Sequence, residues 1–284
     1  MANFDLFGQK IEERVLLREK FFEPPFTILD SKGGNWQNRK RKWKELGIKS
    51  EIGREDVRCN PDSFGEAYGR SVMPSVSIFD PALCELVYQW FCPKEGTILD
   101  PFAGGSVRGI VANYLGFHYT GVDIREEQIL SNKQQASVIC PDNQPIYYCG
   151  DSNKILDIFD TSFDMVFSCP PYADLEVYSN LQGDISNMNY SDFLIAYKSI
   201  IAKSCKLLKK NGFAVFVVGE VRDKKGNYIG FVPDTIKAFQ ECGMSFYNEA
   251  ILLTPLGTAM LRTKPFESSK KLCKVHQNIL VFKK

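Results

Sequence analysis

Histidine is nearly missing from this chain: His118 and His276 are the two it has in 284 residues. A His-based metal centre or catalytic triad therefore has little to draw on, and each histidine reads as a packed or surface residue. The cysteines, nine in number and so an odd count, contain no CxxC pair. That argues for reduced thiols in a cytosolic compartment and against a zinc site or other metal. There is no run of about 18 apolar residues and no signal-like start, so a soluble, cytoplasmic protein without a membrane partner is expected. Charge excess is also lacking, since 35 Lys and Arg face 34 Asp and Glu for a net +1. Overall charge thus does not announce a nucleic-acid binder. Internal repeats and low-complexity tracts are absent as well. With 44% hydrophobic residues, the chain is long enough to bury the core of one large domain plus an appendage.

What is present concentrates in two stretches. Phe163-Asp164-Met165-Val166-Phe167-Ser168 reads as a buried strand running into Cys169-Pro170-Pro171-Tyr172. Two prolines remove two backbone N–H groups and leave carbonyls as acceptors, while the tyrosine offers a flat face and a hydroxyl. Such a turn at a strand's C-terminal end can hold a planar, amine-bearing ring. An ordinary loop with a packed tyrosine uses the same letters. The second stretch is Thr97-Ile98-Leu99-Asp100-Pro101-Phe102-Ala103-Gly104-Gly105-Ser106, then an apolar segment, then Tyr119-Thr120-Gly121-Val122-Asp123. Strand, small-residue turn, helix and strand make one βαβ unit of the nucleotide-binding kind. Asp123 lies about 20 positions after Asp100, where a ribose-binding acid is expected. The turn is not GxGxxG, so a dinucleotide pyrophosphate is not its natural ligand. A doubly wound sheet with no nucleotide is the plainer alternative.

These motifs in this order resemble the S-adenosylmethionine-dependent amino-methyltransferases of DNA. Asp100-Pro101-Phe102-Ala103-Gly104 looks like their cofactor motif and Cys169-Pro170-Pro171-Tyr172 like their catalytic tetrad. Residues 75–96, with Phe79-Asp80-Pro81 before a helix, resemble the segment that closes over the cofactor. Asp151 falls where a third-strand acid would read the adenine of the cofactor. Pro24-Pro25-Phe26, Trp36-Gln37-Asn38-Arg39-Lys40-Arg41, Asp174-Leu175-Glu176-Val177-Tyr178-Ser179 and His276-Gln277-Asn278-Ile279-Leu280-Val281-Phe282 are similar to stretches in methyltransferase-like proteins of bacteriophages.

The resemblance implies an α/β fold: a doubly wound, Rossmann-like, seven-stranded methyltransferase sheet with one antiparallel C-terminal strand. It implies S-adenosylmethionine as cofactor, held by Phe79, Asp100, Pro101, Phe102, Gly104, Asp123 and Asp151. It implies double-stranded DNA as partner, its target base flipped onto Tyr172, with Cys169 and the Pro170 carbonyl facing an exocyclic amine. The tetrad of the family usually begins with Asp, Asn or Ser, and Cys169 is a weaker acceptor. Its size matches Ser, which leans toward cytosine N4, whereas the motif order leans toward adenine N6; both stay open. So do the target sequence, the oligomeric state and any paired restriction nuclease. Three further readings remain: RNA or a free nucleotide as acceptor, a C5 reaction with Cys169 as nucleophile, and a nucleic-acid-binding module without turnover.

Residues 1–70 read as a charged, irregular extension packed on a main domain of residues 71–284, with a helix at 4–22. Within it, Arg39, Arg41 and Lys42 belong to a basic run bracketed by Trp36 and Trp43. The run is a candidate phosphate contact or, equally, a helix face anchored by its two tryptophans. A second basic cluster spans 264–274. Strands are expected at 97–100, 119–123, 146–148, 165–168, 213–219, 245–254 and 278–282, with helices such as 193–208 and 233–242. The Asp-, Ser- and Asn-rich stretch 172–190 has no regular pattern and reads as a functional or disordered loop.

Overall fold

In the computed structural model, the described residues are 23–49, 52, 58–59, 78–172, 176–177, 179, 181–223, 225–254, 263 and 265–284. The helix expected at 4–22 lies outside them. The strands are β1 (Ile28–Asp30), β2 (Arg58–Cys59), β3 (Thr97–Asp100), β4 (His118–Asp123), β5 (Ile146–Cys149), β6 (Phe163–Ser168), β7 (Glu176–Val177), β8 (Leu208–Val218), β9 (Ser245–Leu253) and β10 (His276–Lys283). The helices are α1 (Gly34–Glu45), α2 (Pro81–Phe91), α3 (Val107–Tyr114), α4 (Glu126–Ile139), α5 (Ile155–Ile158), α6 (Tyr190–Leu207), α7 (Phe231–Glu241) and α8 (Pro265–Ser269).

Eight strands form one sheet in the order β1-β9-β10-β8-β6-β3-β4-β5. β3, β4, β5, β6 and β8 run parallel, while β10 lies antiparallel between β8 and β9. Each parallel step needs a crossover, and helices supply it, so both faces of the sheet are covered. Alternation along the strands divides the core accordingly. Ile98, Met165, Phe167, Val215, Val217, Ile279 and Val281 pack on the α2 and α3 side with Leu83, Leu86, Tyr88 and Val111. Leu99, Val166, Ala214, Phe216, Val218, Leu280 and Phe282 pack on the α6 and α7 side with Phe193, Tyr197, Ile201 and Phe239.

The expected seven strands and their antiparallel C-terminal member are all there. The eighth, β1, comes from the extension and pairs in parallel with β9, Ile28 against Ile251 and Asp30 against Leu253. After β1 the chain turns into α1, which lies against α2. Trp36 and Trp43, seven residues apart on one helix face, are both buried in the core. Aromatic side chains bury about 150–250 Å², so each contributes at most about 4–6 kcal/mol at 25 cal/mol/Å². That outweighs an exposed ion pair, worth about 0–1 kcal/mol. The stretch 172–190 is less irregular than expected, since β7 pairs with β2 and a 3-10 turn forms at Ile185–Asn187.

Candidate active site at the strand switch point

Strand order reverses between β3 and β6, because β4 follows β3 in one direction and β8 follows β6 in the other. Crossovers diverge at that point, leaving a crevice at the carboxyl ends of the strands. A cavity of about 310 Å3 opens there. Its wall includes Pro101, Phe102 and Gly104 after β3, Asp123 at the end of β4, Asp151 after β5, Phe79 before α2, and Cys169, Pro170, Pro171 and Tyr172 after β6. The sequence-derived site residues on these segments thus converge, with one exception.

The exception is Asp100, which does not line the cavity. It is fully buried, and its carboxylate accepts from four groups: Phe102 N–H (3.0 Å), Ser168 Oγ (2.5 Å), Tyr119 Oη (2.7 Å) and Arg108 Nε (2.6 Å). Arg108 in turn donates to the carbonyls of Phe102 (2.6 Å) and Ala103 (3.0 Å) and lies over the Phe79 ring, 4.7 Å from its centroid. The pair ties the turn after β3 to Ser168, the residue immediately before Cys169. Asp100 is therefore a positioning residue, and its charge is matched inside the protein by Arg108. Burial and the neighbouring Asp100 carboxylate hold the Tyr119 phenol well above its ordinary pKa, so its proton stays in place as a donor.

Asp123 shapes the other side. Its Oδ2 accepts the Gly104 N–H at 2.8 Å and its Oδ1 the Arg125 N–H at 2.9 Å. Gly104 sits at φ +50°, where a side chain would be strained. Asp151 caps the 3-10 turn Ser152–Lys154 through the Asn153 N–H at 2.8 Å. The stretch containing Gly183 and Asp184 comes over it: a Cβ on Gly183 would lie 3.3 Å from Asp151 Oδ2, and φ there is +95°. Asp184, whose carboxylate accepts from Ser179 and Ser186, also lines the cavity.

The Tyr172 ring packs edge-on against Phe231, centroids 5.7 Å apart, and its hydroxyl accepts from Gln277 Nε2 at 3.3 Å. Cys169 packs half-buried against the core, and among the described residues no donor bonds the Pro170 carbonyl. Sequence reasoning missed Gln277, Lys40 and Arg125 as wall residues. Only the resemblance around His276-Gln277-Asn278 carried a signal for the first.

Of the two readings of the basic run, the contacts of Arg39 match a helix face anchored to the core. Its guanidinium forms a two-pronged ion pair with the buried carboxylate of Glu85, Nε to Oε2 at 2.6 Å and Nη2 to Oε1. Trp43 Nε1 donates to the same carboxylate at 2.7 Å. One turn away, Lys40 Nζ (2.8 Å) and Trp36 Nε1 (3.2 Å) share Asp80, the N-cap of α2. Positions 36, 40 and 39, 43 are helical neighbours, so α1 presents two donor pairs to two acids. Arg39 anchors α1 to the buried Glu85. Arg41 and Lys42 remain exposed on the helix.

Among the described residues, no group of His, Cys, Asp and Glu could hold a metal ion, and no helix is long and apolar enough to cross a membrane. No protein-family model matches the sequence, and no curated protein matches it. Solved structures do share its fold. A putative RNA methyltransferase, PH1948 of Pyrococcus horikoshii, aligns with a TM-score of 0.53 at 14% identity, over 87% of this chain and 98% of that one. The [4+2]-cyclase SpnF aligns with 0.51 at 16% identity, over 76% and 84%. TrmN of Thermus thermophilus aligns with 0.50 at 12% identity, over 78% of this chain and 52% of TrmN, so this chain spans about half of that protein's length. At such identities the likeness establishes the fold, which is the Rossmann-like fold of methyltransferases. A cyclase on the same fold shows why the chemistry has to be argued from the site.

Proposed function

We propose that this protein transfers a methyl group from S-adenosylmethionine to an exocyclic base amine of DNA, adenine N6 or cytosine N4. The observation that carries this reading is a single cavity with Asp123 and Asp151 on one side and Cys169-Pro170-Pro171-Tyr172 on the other. The wall residues fit the cofactor. Asp123, on the strand next to β3, suits ribose hydroxyls, and Asp151, one strand further, suits an adenine amine. Phe102 and Gly104 suit the methionine portion, the glycine letting backbone come close. Phe79, braced by Arg108 and the Phe167 ring, supplies an apolar wall. S-adenosylmethionine supplies a methyl group on a sulfonium sulfur that is already activated for displacement.

The rest is done by the acceptor side of the cavity. An exocyclic amine has its lone pair delocalised into the ring, so it attacks carbon poorly unless acceptors hold its N–H groups. The Pro170 carbonyl is such an acceptor, and Cys169 Sγ is a weaker one beside it. Tyr172 offers the face on which a flipped base stacks, worth about 1–3 kcal/mol against an extrusion cost of a few kcal/mol. Holding amine and methyl donor in line supplies much of the acceleration.

RNA as acceptor is the second reading, because the same acceptor side of the cavity would suit an exocyclic amine of an RNA base. Incubation with methyl-labelled S-adenosylmethionine and genomic DNA or total RNA, followed by nucleoside analysis, decides. N6-methyladenine or N4-methylcytosine in DNA is the expected result. Label in RNA alone moves the reading to RNA, 5-methylcytosine moves it to Cys169 as nucleophile, and cofactor binding without transfer overturns it.

A further inference from the structure

Beside Tyr172, on the two segments that adjoin it, the protein carries a group of cations. Arg222, Lys225, Lys270, Lys271 and Lys274 flank the strand ends that follow β8 and precede β10, and among the described residues none of them is in an ion pair. Acids are close by but engaged elsewhere. Glu220 accepts the backbone N–H groups of Gly230 (3.2 Å) and Val232 (2.6 Å) at the start of α7. Asp223 closes the Arg222–Tyr228 turn through the Asn227 N–H at 2.8 Å. Glu267 is the remaining carboxylate of the segment, and Lys270 Nζ contacts its backbone carbonyl at 3.4 Å.

Two elements bring the cations together. Lys271 lies across Gly226, where an added Cβ would fall 2.1 Å from Lys271 Cε, so the turn and the segment before β10 touch. Arg222 is held flat, 4.0 Å over the Tyr228 ring, and donates to the Gly226 carbonyl at 2.7 Å. Lys274 is nearest the candidate active site. A Cβ on Gly219 would be 3.6 Å from Lys274 Nζ and 3.5 Å from Tyr172 Oη, so the ammonium and the tyrosine hydroxyl sit over the same glycine. Burial lowers the pKa of Lys274, the Glu220 carboxylate raises it, and Arg222 lowers it further.

We propose that Arg222, Lys225, Lys270, Lys271 and Lys274 form a track for the phosphodiester backbone of the acceptor, with Lys274 on the phosphate nearest the base stacked on Tyr172. The inference rests on the nucleic-acid methyltransferase reading and deepens it: the acceptor is a strand rather than a free nucleotide. A phosphate at Lys274 would add an anion beside this half-buried ammonium, and Lys271, lying across Gly226, joins the two segments that carry the other cations. Rows of Lys and Arg beside an aromatic platform suit a strand because every nucleotide repeats one charge and one flat face. The basic run of α1 is the competing surface, with Arg41 and Lys42 as its exposed members.

The test measures binding of labelled duplex DNA and of RNA of matched sequence to the full chain by fluorescence anisotropy across a salt series. The single variant Lys274→Gln is compared with the combined Lys270→Gln, Lys271→Gln and Lys274→Gln variant and with Arg41→Gln plus Lys42→Gln. For a duplex, the slope of log K against log salt is expected to flatten by about 0.9 for each lost phosphate contact. The track predicts such flattening with Lys274→Gln, more with the triple variant, and unchanged S-adenosylmethionine affinity by calorimetry. Binding of DNA but not RNA, or the reverse, identifies the strand that uses the track. Unchanged slopes in both lysine variants, with methyl transfer to nucleic acid intact, overturn the track and leave the activity standing. Flattening only in the Arg41 and Lys42 variant does the same. A wild-type chain that binds S-adenosylmethionine but no nucleic acid overturns both.

Discussion

Tyr172 has two separable parts, a ring against Phe231 and a hydroxyl that accepts from Gln277. On the proposed reading the ring is the stacking platform, whereas the bond from Gln277 to the hydroxyl is neutral and worth about 0.5–1.5 kcal/mol. Tyr172→Phe should therefore change methyl transfer by a few-fold at most. Tyr172→Ala should cost roughly 5- to 150-fold, the equivalent of 1–3 kcal/mol of stacking. Cofactor affinity, read by calorimetry, should stay the same in both, because the proposed cofactor contacts do not include Tyr172. Equal losses in the two variants would place the chemistry on the hydroxyl instead. Cys169 separates the reactions in a similar way. Amine methylation asks only for an acceptor of suitable size at this position, so Cys169→Ser should keep activity and Cys169→Asn should keep or raise it. A C5 reaction requires the sulfur as nucleophile, so both variants would be dead and 5-fluorocytosine DNA would trap the wild-type protein.

At the scale of an element, α1 shows how a basic run can be structural. Arg39→Ala would leave the buried Glu85 carboxylate without its cation; because Arg39 is partly solvated and Trp43 still donates to Glu85, the loss should be about 1–3 kcal/mol, below that of a fully buried pair. Arg41→Ala and Lys42→Ala touch exposed side chains and should stay within about 0.5 kcal/mol. Urea denaturation compares the three, and equal stabilities would dismiss the anchor. The end of β6 nearest its start carries a second element-scale device. Asp164 accepts from Thr97 N–H and Oγ1, both at 2.9 Å, and from Lys209 Nζ at 2.8 Å, joining β6 to β3 and β8. Burial pushes its carboxyl up, but the bonds from Lys209 and Thr97 outweigh that and hold it below the ordinary 3.8. A lowered acid stabilises the fold above its unfolded pKa and loses that contribution as pH falls through the folded value. Melting temperature should thus fall between about pH 4 and pH 2 in the wild type, and Asp164→Asn should flatten that limb. An acid limb identical in both would show that other carboxylates dominate.

Across the whole molecule, the parts written in short-range pattern were legible and the parts made by distant partners were not. The strand at 97–100 and the central strands follow from short apolar runs, as expected of parallel strands buried on both faces, and the switch point follows from two turns that each close a strand. β1 has only Leu29 buried and pairs with a strand more than two hundred residues away, so nothing local announces it. The mean composition of α1 is strongly polar; its one signal is the seven-residue spacing of Trp36 and Trp43. Asp100 looked like a ligand residue because its motif sits at a binding turn, yet its partners Arg108, Tyr119 and Ser168 are scattered over three elements. The same dispersal makes the cavity a whole-molecule property: its walls come from segments before α2 and after β3, β4, β5 and β6, along with Gln277 of β10. A ligand that bridges those segments binds the folded chain and not the unfolded one, and stabilises it by RT ln(1 + [L]/Kd), about 2.7 kcal/mol at a hundredfold excess over Kd. S-adenosylmethionine should accordingly raise the melting temperature by several degrees. Asp123→Asn removes a charge that would grip the ribose hydroxyls, worth about 1.5–3 kcal/mol, so its Kd should rise roughly 10- to 150-fold and the thermal gain at the same concentration should fall to about half or less. A melting temperature indifferent to S-adenosylmethionine in the wild type, or an equal rise in wild type and Asp123→Asn, would remove Asp123 from the cofactor site, since no other group at the end of β4 offers a carboxylate to the cavity.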